Sequence, residues 1–409
     1  MMSFIDSNEI LSKTQFGFRQ NMSTETALIN FINRIQKGLT NKQYTISVFM
    51  DLSKAFDVID HGILRCKLEH YGFRGSILQF LMSFVQNREY FVSVNGQTSD
   101  TEVLNIGVPQ GSTLGPLLFL IYVNDMSNSS DLFDFDQFAD DSTVTHSAPD
   151  IKAALQTVER ELEKVLNWLA ANKLIINIKK THLMLFTNRK RPQTISIKLK
   201  GETISEINET KFLGVMIDSK LNWQAHINYI NNKISKSVSI IRFLKYTFPK
   251  DILKTLYLTL IYPYIAYCNV IWGSAAKSIL NPLVLLQKKV VRIICKTDFL
   301  AKTDPLFKHL KILKIYQVYN LNCALLIYKC YNSKTYKDLK SHLRPHKSFH
   351  NYMTRNKEQL RPPFERLQMC LNSFFHNGIK IWNSIPNNIK NAKTLKSFKV
   401  LMKSYLIFN

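Results

Sequence analysis

Apolar and polar positions alternate through the first part of the chain in a way that predicts strands joined by tight turns. Residues 45–50 form a β-branched and aromatic run of strand length that ends abruptly at Asp51. Residues 133–144 predict two short strands, and the turn between them carries the adjacent carboxylates of Asp140 and Asp141. The pattern therefore predicts short strands that end at acidic residues.

The remaining pattern of the first half predicts helices and further strands. Apolar residues in 150–172 recur at spacings of three and four, which is typical of an amphipathic helix. Pro116 suits the first turn of a helix, so the apolar run after it predicts a helix buried on all sides. Helices are also expected over 1–45, apart from a turn or loop at 15–19, and over 62–86. Strands are expected over 90–96, ending in a hairpin turn, and over 174–178, 183–186 and 211–218.

After Asn222 the pattern becomes almost wholly helical. One apolar stripe is formed by Ile227, Ile230, Ile234, Val238, Ile241 and Leu244. Basic residues available to other faces of the same helix are Lys233, Lys236, Arg242 and Lys245. We place a domain boundary near residue 222 and a softer one near residue 300. The polar, basic stretch 331–365 is expected to be rich in loops.

Charge is distributed unevenly between the two halves. The whole chain of 409 residues carries a formal net charge of +24, but residues 1–220 carry −1 and residues 221–409 carry +25. A half with this excess of positive charge is typical of a surface for phosphates or for an anionic membrane. The alternative is a basic surface that serves only solvation.

Several classes of protein are not supported by the sequence. The six cysteines are scattered without a close pair, so neither a zinc site nor a disulfide framework is predicted, and free thiols suit a reducing compartment. The first residues lack the pattern of a signal peptide. Residues 255–276 carry no charge and could span a bilayer, but Pro263, Asn269 and Gly273 favour a buried helix that breaks at Pro263.

The acidic residues predict a site for divalent cations. Adjacent carboxylates such as Asp140 and Asp141 repel each other unless a cation shares them, and carboxylate oxygens are the ligands that Mg²⁺ and Mn²⁺ prefer. Nucleotidyl transfer by two metal ions needs carboxylates from separate segments, with the ions about 3.5–4 Å apart. Asp51 and the Asp140–Asp141 turn meet that need if their strands are neighbours. The alternative is a solvated acidic turn.

Six short motifs follow one another over residues 15–218. They are QFGFRQNMST at 15–24, VFMDLSKAFDVIDH at 48–61, GVPQGSTLGPLLF at 107–119, FADD at 138–141, NKLIINIKKT at 172–181 and KFLGV at 211–215. Each motif alone is weak, but their order resembles that in reverse transcriptases of non-LTR retrotransposons of the jockey-like kind. GIKIWNSIP at 378–386 is also similar to the tail of these elements.

The resemblance implies an α+β fold, the right-hand polymerase. Partial fingers and a palm with an antiparallel sheet are expected over 1–222, an all-α thumb over 223–300 and a basic helical C-terminal region over 301–409. The implied activity is RNA-directed DNA polymerisation with an RNA template, a DNA primer, deoxynucleoside triphosphates and two Mg²⁺ ions, or Mn²⁺. No membrane partner is expected, and the implied location is intracellular, in the nucleus and cytoplasm.

The resemblance also implies roles for single residues. Asp51, Asp140 and Asp141 match the catalytic metal ligands. Phe56 matches the steric gate against a ribose 2′-hydroxyl, although an ordinary core phenylalanine is the alternative. Contacts to the nucleotide or template are implied for Gln110, Gly111, Lys180 and Arg19, a primer grip for Phe212, Leu213 and Gly214, and contacts to the nucleic-acid backbone for Lys233, Lys236, Arg242 and Lys245.

Plainer alternatives remain open for several of these residues. Gln110 and Gly111 fit an ordinary turn between a strand and a helix, Lys180 a solvated lysine pair, and Arg19 a surface salt bridge. The aromatic residues of 316–336 could stack on unpaired bases, but packing in a helical core is favoured.

Two departures from the family pattern affect the functional hypothesis. Phe138 stands where many relatives have tyrosine, which removes a hydroxyl but keeps the ring. The fingers strands and the endonuclease that usually precede the motif at 15–24 are not in this sequence, so we expect a truncated element copy or an incomplete gene model. The alternative function is a catalytically weak remnant that only binds nucleic acid. An RNA-templated RNA polymerase is disfavoured by Phe56.

Overall fold

The structure is a computed structural model that describes residues 1–190, 194–332, 337–348 and 358–408. The chain forms two compact units, Met1–Asn208 and Glu209–Asn409. The first unit mixes helices with antiparallel strands, and the described residues of the second are mainly helical and begin with a hairpin.

The elements of the first unit agree with most of the predicted pattern. In chain order they are α1 Met2–Ser7, α2 Thr24–Thr40, β1 Tyr44–Met50, α3 His61–His70, α4 Gly75–Val85, β2 Arg88–Tyr90, β3 Ser93–Val94, β4 Gln97–Thr98, β5 Glu102–Leu104, α5 Gly115–Val123, β6 Asp134–Phe138, β7 Asp141–Ala148, α6 Ile151–Ala171, β8 His182–Phe186, β9 Ser196–Leu199 and β10 Glu202–Ser205.

The central element of this unit is a four-stranded sheet with the order β6-β7-β1-β8, in which every neighbouring pair is antiparallel. Met50 at the end of β1 lies opposite Ser142 in β7. Phe138 at the end of β6 lies opposite Asp141 at the start of β7. The end of β1 and the turn between β6 and β7 therefore meet at one edge of the sheet.

Strand β1 is buried on both faces, which explains why its sequence is apolar almost throughout. On one face the ring of Phe31 in α2 contacts Phe49 with 5.6 Å between the ring centroids. Side chains alternate along a strand, so Val48 points to the other face, where it shares an apolar core with Val158 and Leu162 of α6. The two helices therefore hold the sheet between them.

Helix α5 is buried around its whole circumference, as predicted. Pro116 lies in its first turn, and Leu118, Phe119 and Ile121 are fully buried. A buried tyrosine needs a hydrogen-bond partner, and the hydroxyl of Tyr122 donates to the carbonyl oxygen of Asn172 at 2.7 Å. The helix thus forms part of the core on which the loops of the site are built.

The prediction of a strand over 174–178 is wrong. Only one residue pair in this segment, Ile176 with Leu52, forms a β-bridge, and a 3₁₀ turn, Ile178–Lys180, follows. The backbone of this segment bonds to the residues after β1, since the N–H of Ser53 donates to the carbonyl of Ile175 at 2.8 Å. Leu174 and Ile176 are buried, whereas Ile175 between them is 59% exposed, so burial alternates as in a strand although the segment forms no ladder.

The expected helix over 62–86 is divided into α3 and α4. Gly72 adopts a left-handed conformation with φ of 91°, which ends the first helix. The predicted hairpin near residue 96 is confirmed, because Asn95 and Gly96 form the turn between β3 and β4 with φ of 52° and 83°.

The second unit begins with a hairpin and continues as helices. Its elements are β11 Glu209–Phe212, β12 Val215–Asp218, α7 Gln224–Leu244, α8 Lys250–Leu260, α9 Tyr262–Ala266, α10 Asn269–Trp272, α11 Lys277–Cys295, α12 Thr303–Leu310, α13 Ile315–Asn332, α14 Lys337–His342, α15 Gln368–Leu371, α16 Ile379–Ser384, α17 Asn387–Lys390 and α18 Leu395–Phe408.

The prediction of a single strand over 211–218 is also wrong. Leu213 and Gly214 both have positive φ and turn the chain back, so the segment is the hairpin β11–β12. This hairpin packs on α7 and therefore belongs to the second unit. The division after Asn208 differs for this reason from the boundary that we expected near residue 222.

Buried polar groups connect the helices of the second unit. The side-chain amide of Gln287 in α11 donates to the Tyr257 hydroxyl and to the Leu313 carbonyl, both at 2.8 Å, and its oxygen accepts from the N–H of Ile315 at 3.0 Å. The stripe on α7 is buried from Ile227 to Ile241. These contacts confirm the helical core predicted from the apolar spacing.

The remaining expectations for this unit concern tyrosines, loops and a bilayer span. Tyr319 and Tyr328 are buried, which fits core packing, whereas Tyr316 and Tyr331 are partly exposed. Much of 331–365, including Tyr336, lies outside the described residues. The uncharged segment over 255–276 folds as α8, α9 and α10, and no helix in the described residues is long and apolar enough to cross a membrane.

We predict that Arg34→Met destabilises the protein by about 3–5 kcal/mol, because it leaves a buried carboxylate unpaired. Arg34 in α2 donates to Asp136 in β6 at 2.6 Å, and Asp136 is 1% exposed. Burial raises the pKa of Asp136, an effect that Arg34 opposes. The raised pKa means that the folded mutant binds the proton more tightly than the unfolded chain, so its stability falls as the pH rises through that pKa. Urea denaturation followed by circular dichroism measures both effects.

The double variant Arg34→Met with Asp136→Leu serves as the control, because it removes the carboxylate together with its partner. It should recover most of the lost stability. If it is as unstable as Arg34→Met alone, the cost does not come from the unpaired charge.

Candidate active site

The predicted catalytic carboxylates meet at the edge of the sheet. Because Met50 lies opposite Ser142, the next residues on the two antiparallel strands, Asp51 and Asp141, are neighbours. The carbonyl of Asp51 accepts a hydrogen bond from the N–H of Asn177 at 2.8 Å, which fixes the backbone at this strand end. Strand register therefore brings together residues that are about ninety positions apart in the sequence.

Asp140 lies in a two-residue turn that joins β6 to β7. Its neighbour in the turn, Ala139, has a φ of 56° in the left-handed region, which is unusual for a residue with a Cβ atom. Such backbone conformations persist where the surrounding structure holds them. The turn thus presents Asp140 beside Asp141, as the sequence pattern predicted.

The charges of the neighbouring carboxylates act on Asp141. Partial desolvation raises the pKa of Asp141, although the residue as a whole is solvent-exposed, and repulsion from Asp140 and Asp51 raises it further. The nearby ammonium group of Lys180 acts in the opposite direction. The fold therefore concentrates negative charge at this point.

Lys180 is the predicted basic residue that the structure places closest to these carboxylates. It ends the 3₁₀ turn Ile178–Lys180, and its Nζ atom lies 3.2 Å from Oδ2 of Asp51. Its side chain remains 68% exposed. An exposed ammonium group can exchange its partner at small cost, so Lys180 can release Asp51 when another cation or a phosphate is present.

The donor set suits a hard divalent cation. Three carboxylates from two segments converge, and their repulsion favours a shared positive charge. Within the described ranges, no set of three histidine, cysteine or carboxylate side chains is arranged closely enough to enclose an ion. The carboxylates are thus near one another and electrostatically coupled, and one oxygen of Asp51 is paired with Lys180 instead.

The segment around Gln15 braces the turn that carries Asp140. It lies parallel to β6, with the N–H of Phe16 donating to the carbonyl of Gln137 at 2.8 Å. The Gln15 side-chain oxygen accepts from the N–H groups of Gly17, at 2.8 Å, and Ala139, at 3.0 Å. A Cβ atom at Gly17 would lie 2.4 Å from the Ala139 nitrogen, so glycine is required there.

Arg19 makes contacts within this same segment. Its guanidinium donates to the carbonyl oxygens of Ser12 at 2.6 Å and Gln15 at 3.1 Å, and the residue is half-buried. These contacts give Arg19 a role in shaping the loop. Its predicted contact with phosphates stays a prediction.

The gate candidate Phe56 is half-buried between two other aromatic rings. It stacks on the fully buried Phe119 of α5, with 4.3 Å between ring centroids and 23° between ring planes. It also forms a T-shaped pair with the ring of Phe18, with 6.3 Å between ring centroids and 89° between ring planes. The N–H of Val108 donates to the Phe56 carbonyl at 2.9 Å, which ties this loop to the next motif.

The loop at 107–111 is tied to the segment after β1. The side-chain amide of Gln110 donates to Asp57 at 2.7 Å, and Nε2 of His61 lies 2.8 Å from the carbonyl oxygen of Gly107. Gly111 is exposed, with φ of 74°. Gln110 and Gly111 therefore lie on an exposed, hydrogen-bonded loop beside Phe56.

The candidate primer grip is the turn of the hairpin β11–β12 in the second unit. Leu213 has a φ of 45°, which costs a non-glycine residue about 1–2 kcal/mol. The hydroxyl of Tyr267 donates to the Leu213 carbonyl at 2.8 Å, and the Tyr267 ring covers Gly214, where a Cβ atom would lie 3.0 Å from it. Phe212, just before the turn, is buried. The strained turn is thus held by one tyrosine.

A buried histidine anchors the hairpin to α7. Nδ1 of His226 accepts from the N–H of Met216 at 3.3 Å, and its ring packs against Trp272. Burial lowers the pKa of His226 to about 4, so the ring is neutral at pH 7 and can accept this bond. The anchoring is therefore independent of pH over the physiological range.

The basic residues of α7 lie away from its buried stripe. Lys233, Lys236 and Arg242 are exposed, and Lys245 is half-buried. Two aromatic side chains on the same stretch, Phe243 and Tyr246, are 83% and 81% exposed. The helix thus presents positive charge and exposed rings to solvent.

The structure adds residues that the sequence pattern did not single out. Gln15 and Phe18 lie inside the first motif and Asp57 inside the second, so the motifs themselves were the available signal. Tyr267 lies in the uncharged stretch considered as a possible span, and no sequence signal marked it as a partner of Leu213.

Comparison with known proteins agrees with the predicted family and fold. The family described as "Reverse transcriptase (RNA-dependent DNA polymerase)" matches residues 2–217, more than half of the chain. The chain therefore belongs to the reverse transcriptase family. An α+β unit with an antiparallel sheet, followed by a helical region, is the architecture expected of a polymerase palm and fingers.

Relatives of known description are mobile-element polymerases. The RNA-directed DNA polymerase from mobile element jockey of Drosophila melanogaster is 29% identical over 322 residues, 76% of this chain and 35% of the relative. The probable RNA-directed DNA polymerase from transposon BS of the same species is 28% identical over 314 residues, 74% of this chain and 34% of the relative. The chain thus spans about a third of the length of these relatives.

Similar solved structures include telomerases. Apo telomerase from Candida tropicalis matches with a TM-score of 0.43 and 11% identity, covering 83% of this chain and 59% of that chain. Telomerase from Candida albicans, in complex with a fragment of telomeric RNA, matches with a TM-score of 0.36 and 12% identity, covering 83% of this chain and 56% of that chain.

Reverse transcriptases generally use divalent metal ions, and the three carboxylates at the sheet edge are suitable ligands for such ions.

We predict that Asp141→Asn raises the melting temperature in EDTA at pH 8, because it removes a carboxylate that repels its neighbours. The raised pKa of Asp141 means that its charged form destabilises the fold, so stability is lost as the pH rises through that pKa. Added Mg²⁺ should stabilise the wild type more than the variant, since ligands that bind the folded state raise its stability. Differential scanning fluorimetry measures both shifts.

Asp100→Asn is the matched control, because Asp100 is an exposed aspartate in the same unit. It should leave the melting temperature and its response to Mg²⁺ unchanged. Equal stabilisation of wild type and Asp141→Asn by Mg²⁺ would show that the ion binds elsewhere.

Proposed function

We propose that this chain carries the polymerase part of a non-LTR retrotransposon reverse transcriptase, which extends a DNA primer on an RNA template. The observation that supports this most is the convergence of Asp51, Asp140 and Asp141 at one sheet edge beside Lys180. Membership of the reverse transcriptase family and the similarity to mobile-element polymerases point to the same reaction.

In this proposal the three aspartates hold two Mg²⁺ ions, with Mn²⁺ as a possible substitute. The bound ions would lower the pKa of the primer 3′-hydroxyl and neutralise charge on the triphosphate. The aspartates supply the oxygen ligands. Lys180 turns from Asp51 to the triphosphate and stabilises the charge that develops on the leaving pyrophosphate. The exposed side chain of Lys180 has the freedom that this exchange needs.

The neighbouring loops are proposed to select and position the nucleotide. The Phe56 ring, supported by Phe119, excludes a ribose 2′-hydroxyl and so favours deoxynucleotides. Gln110 and Gly111 contact the template or incoming base from their exposed loop, and Asp57 fixes the orientation of the Gln110 amide. Arg19 holds the first motif in shape and is a further candidate for a phosphate contact.

The second unit is proposed to hold the nucleic acid. The Phe212–Leu213–Gly214 turn would position the primer end, and the basic side of α7 would follow the backbone of the template–primer duplex. The family resemblance suggests a division into palm and fingers over 1–222, thumb over 223–300 and C-terminal region over 301–409, whereas the compact units divide after Asn208. The family resemblance suggests action in the nucleus and cytoplasm.

The uneven charge also supports a second candidate function. Residues 221–409 carry a formal charge of +25, which suffices for sequence-independent binding to nucleic acid without catalysis. A remnant that only binds RNA or DNA would keep this surface and lose incorporation of nucleotides.

We predict that Asp140→Asn lowers nucleotide incorporation about 100- to 1,000-fold, the usual cost of removing one preorganised electrostatic contact. The assay is extension of oligo(dT) on poly(rA) with Mg²⁺ or Mn²⁺. Asp100→Asn, far outside the site in sequence and exposed, should retain wild-type incorporation. Absence of incorporation by the wild type, or equal rates in Asp140→Asn, would favour the binding remnant.

We predict that removing the basic residues of α7 and Lys245 just after it weakens duplex binding and makes it less dependent on salt, because fewer phosphates are neutralised. The variant replaces Lys233, Lys236, Arg242 and Lys245 with alanine. For each phosphate that the variant no longer neutralises, the slope of log K against log salt should become shallower by about 0.9. Fluorescence anisotropy with an RNA–DNA hybrid at several salt concentrations measures this slope.

A variant of equal charge provides the control for that experiment. It replaces the exposed first-unit residues Lys42, Lys152, Lys198 and Lys200 with alanine. If both variants change the slope equally, binding depends on net charge alone and α7 has no special role.

A further inference from the structure

Phe18 is an exposed aromatic residue in a conformation that costs free energy. Phe18 is 56% exposed, and its φ is 51°, in the left-handed region that is costly for a residue with a side chain. Burial of its ring therefore contributes little to folding, while its backbone is strained. A residue held in this way needs another reason for its position.

The backbone before Phe18 is fixed against the turn that carries Asp140. Gln15 bonds to the N–H groups of Gly17 and Ala139, and Gly17 touches the Ala139 backbone so closely that a Cβ atom would not fit. Phe18 follows Gly17 directly in the chain. The position of Phe18 is therefore fixed by its neighbour Gly17, which packs against Ala139 in the turn that carries Asp140.

From this fixed point the ring of Phe18 reaches the ring of Phe56. The two rings meet edge to face at 6.3 Å and 89°, and Phe56 in turn stacks on the rigid, fully buried Phe119. Edge-to-face pairs of this kind are favourable because the positive edge of one ring meets the negative face of the other. Phe18 therefore bridges the turn with the catalytic carboxylates and the proposed gate.

We propose that Phe18 is a specificity-determining residue that positions Phe56 and so sets the discrimination between deoxynucleotides and ribonucleotides. This inference rests on the proposed polymerase function. A gate excludes a 2′-hydroxyl only while its ring stays in place, and a half-buried ring supported on one side alone can tilt. Phe119 contacts Phe56 from the buried core, and Phe18 supplies a second aromatic contact to the same ring.

Single-nucleotide extension on a primer–template provides the test, with dTTP and UTP as competing substrates. Phe18→Ala should lower the ratio of kcat/KM for dTTP to kcat/KM for UTP about two- to tenfold. This range corresponds to the free energy of one edge-to-face aromatic pair. The change should arise from faster use of UTP, with kcat for dTTP nearly unchanged. Phe18→Tyr keeps the ring and should keep the wild-type ratio.

A double-mutant cycle separates an action through Phe56 from an independent one. Phe56→Ala should lower the ratio more strongly than Phe18→Ala, and Phe18→Ala combined with Phe56→Ala should lower it no further than Phe56→Ala alone. Phe80→Ala is the matched control, because Phe80 in α4 is 61% exposed and outside the aromatic group. It should leave the ratio unchanged.

The outcomes distinguish this inference from the proposed function. If Phe56→Ala lowers the ratio while Phe18→Ala leaves it as in the wild type, the role of Phe18 is refuted and the polymerase function stands. A double variant whose effect equals the product of both single effects also refutes positioning through Phe56. No incorporation by the wild type overturns the polymerase function and this inference together. Melting temperatures of all variants show whether Phe18→Ala folds, and Phe18→Leu replaces it if it does not.

Discussion

The candidate active site requires that like charges be held close together at the end of a buried strand. Three carboxylates meet where β1 ends and β6 turns into β7, and partial desolvation together with their repulsion raises the pKa of Asp141. The sheet can impose this arrangement because β1 is covered on both faces by α2 and α6. A slip of one residue in register would turn every side chain of β1 to the opposite face, so the apolar core fixes the positions of the charges.

The loops around this edge are braced by both side-chain and backbone hydrogen bonds. Gln15 uses one side-chain oxygen to join two backbone segments, and Gly17 fits where any side chain would collide with Ala139. Val108 and Gln110 bind the segment of Phe56 and Asp57 through a backbone and a side-chain bond.

The second unit shows the same use of strain held by specific contacts. The turn at Leu213 and Gly214 has two residues with positive φ, and the Tyr267 hydroxyl and ring hold it in place. Neutral His226 fixes the following strand on α7. Positive charge on this unit is separate in origin, since the lysines and arginines that the structure describes are exposed or half-buried and none is buried in the core.

Local pattern in the sequence determined β1, the hairpin with Asp140 and Asp141, the buried α5 and the long α6, because periodicity and turn residues act over a few neighbouring positions. The order of the six motifs indicated the family and hence the candidate site. Only the tertiary structure decided that 174–178 pairs as a loop, that 211–218 is a hairpin, that Arg19 bonds to its own segment and that Phe18 meets Phe56. Those outcomes depend on contacts between distant segments, and their free energies are set by packing that no local pattern contains.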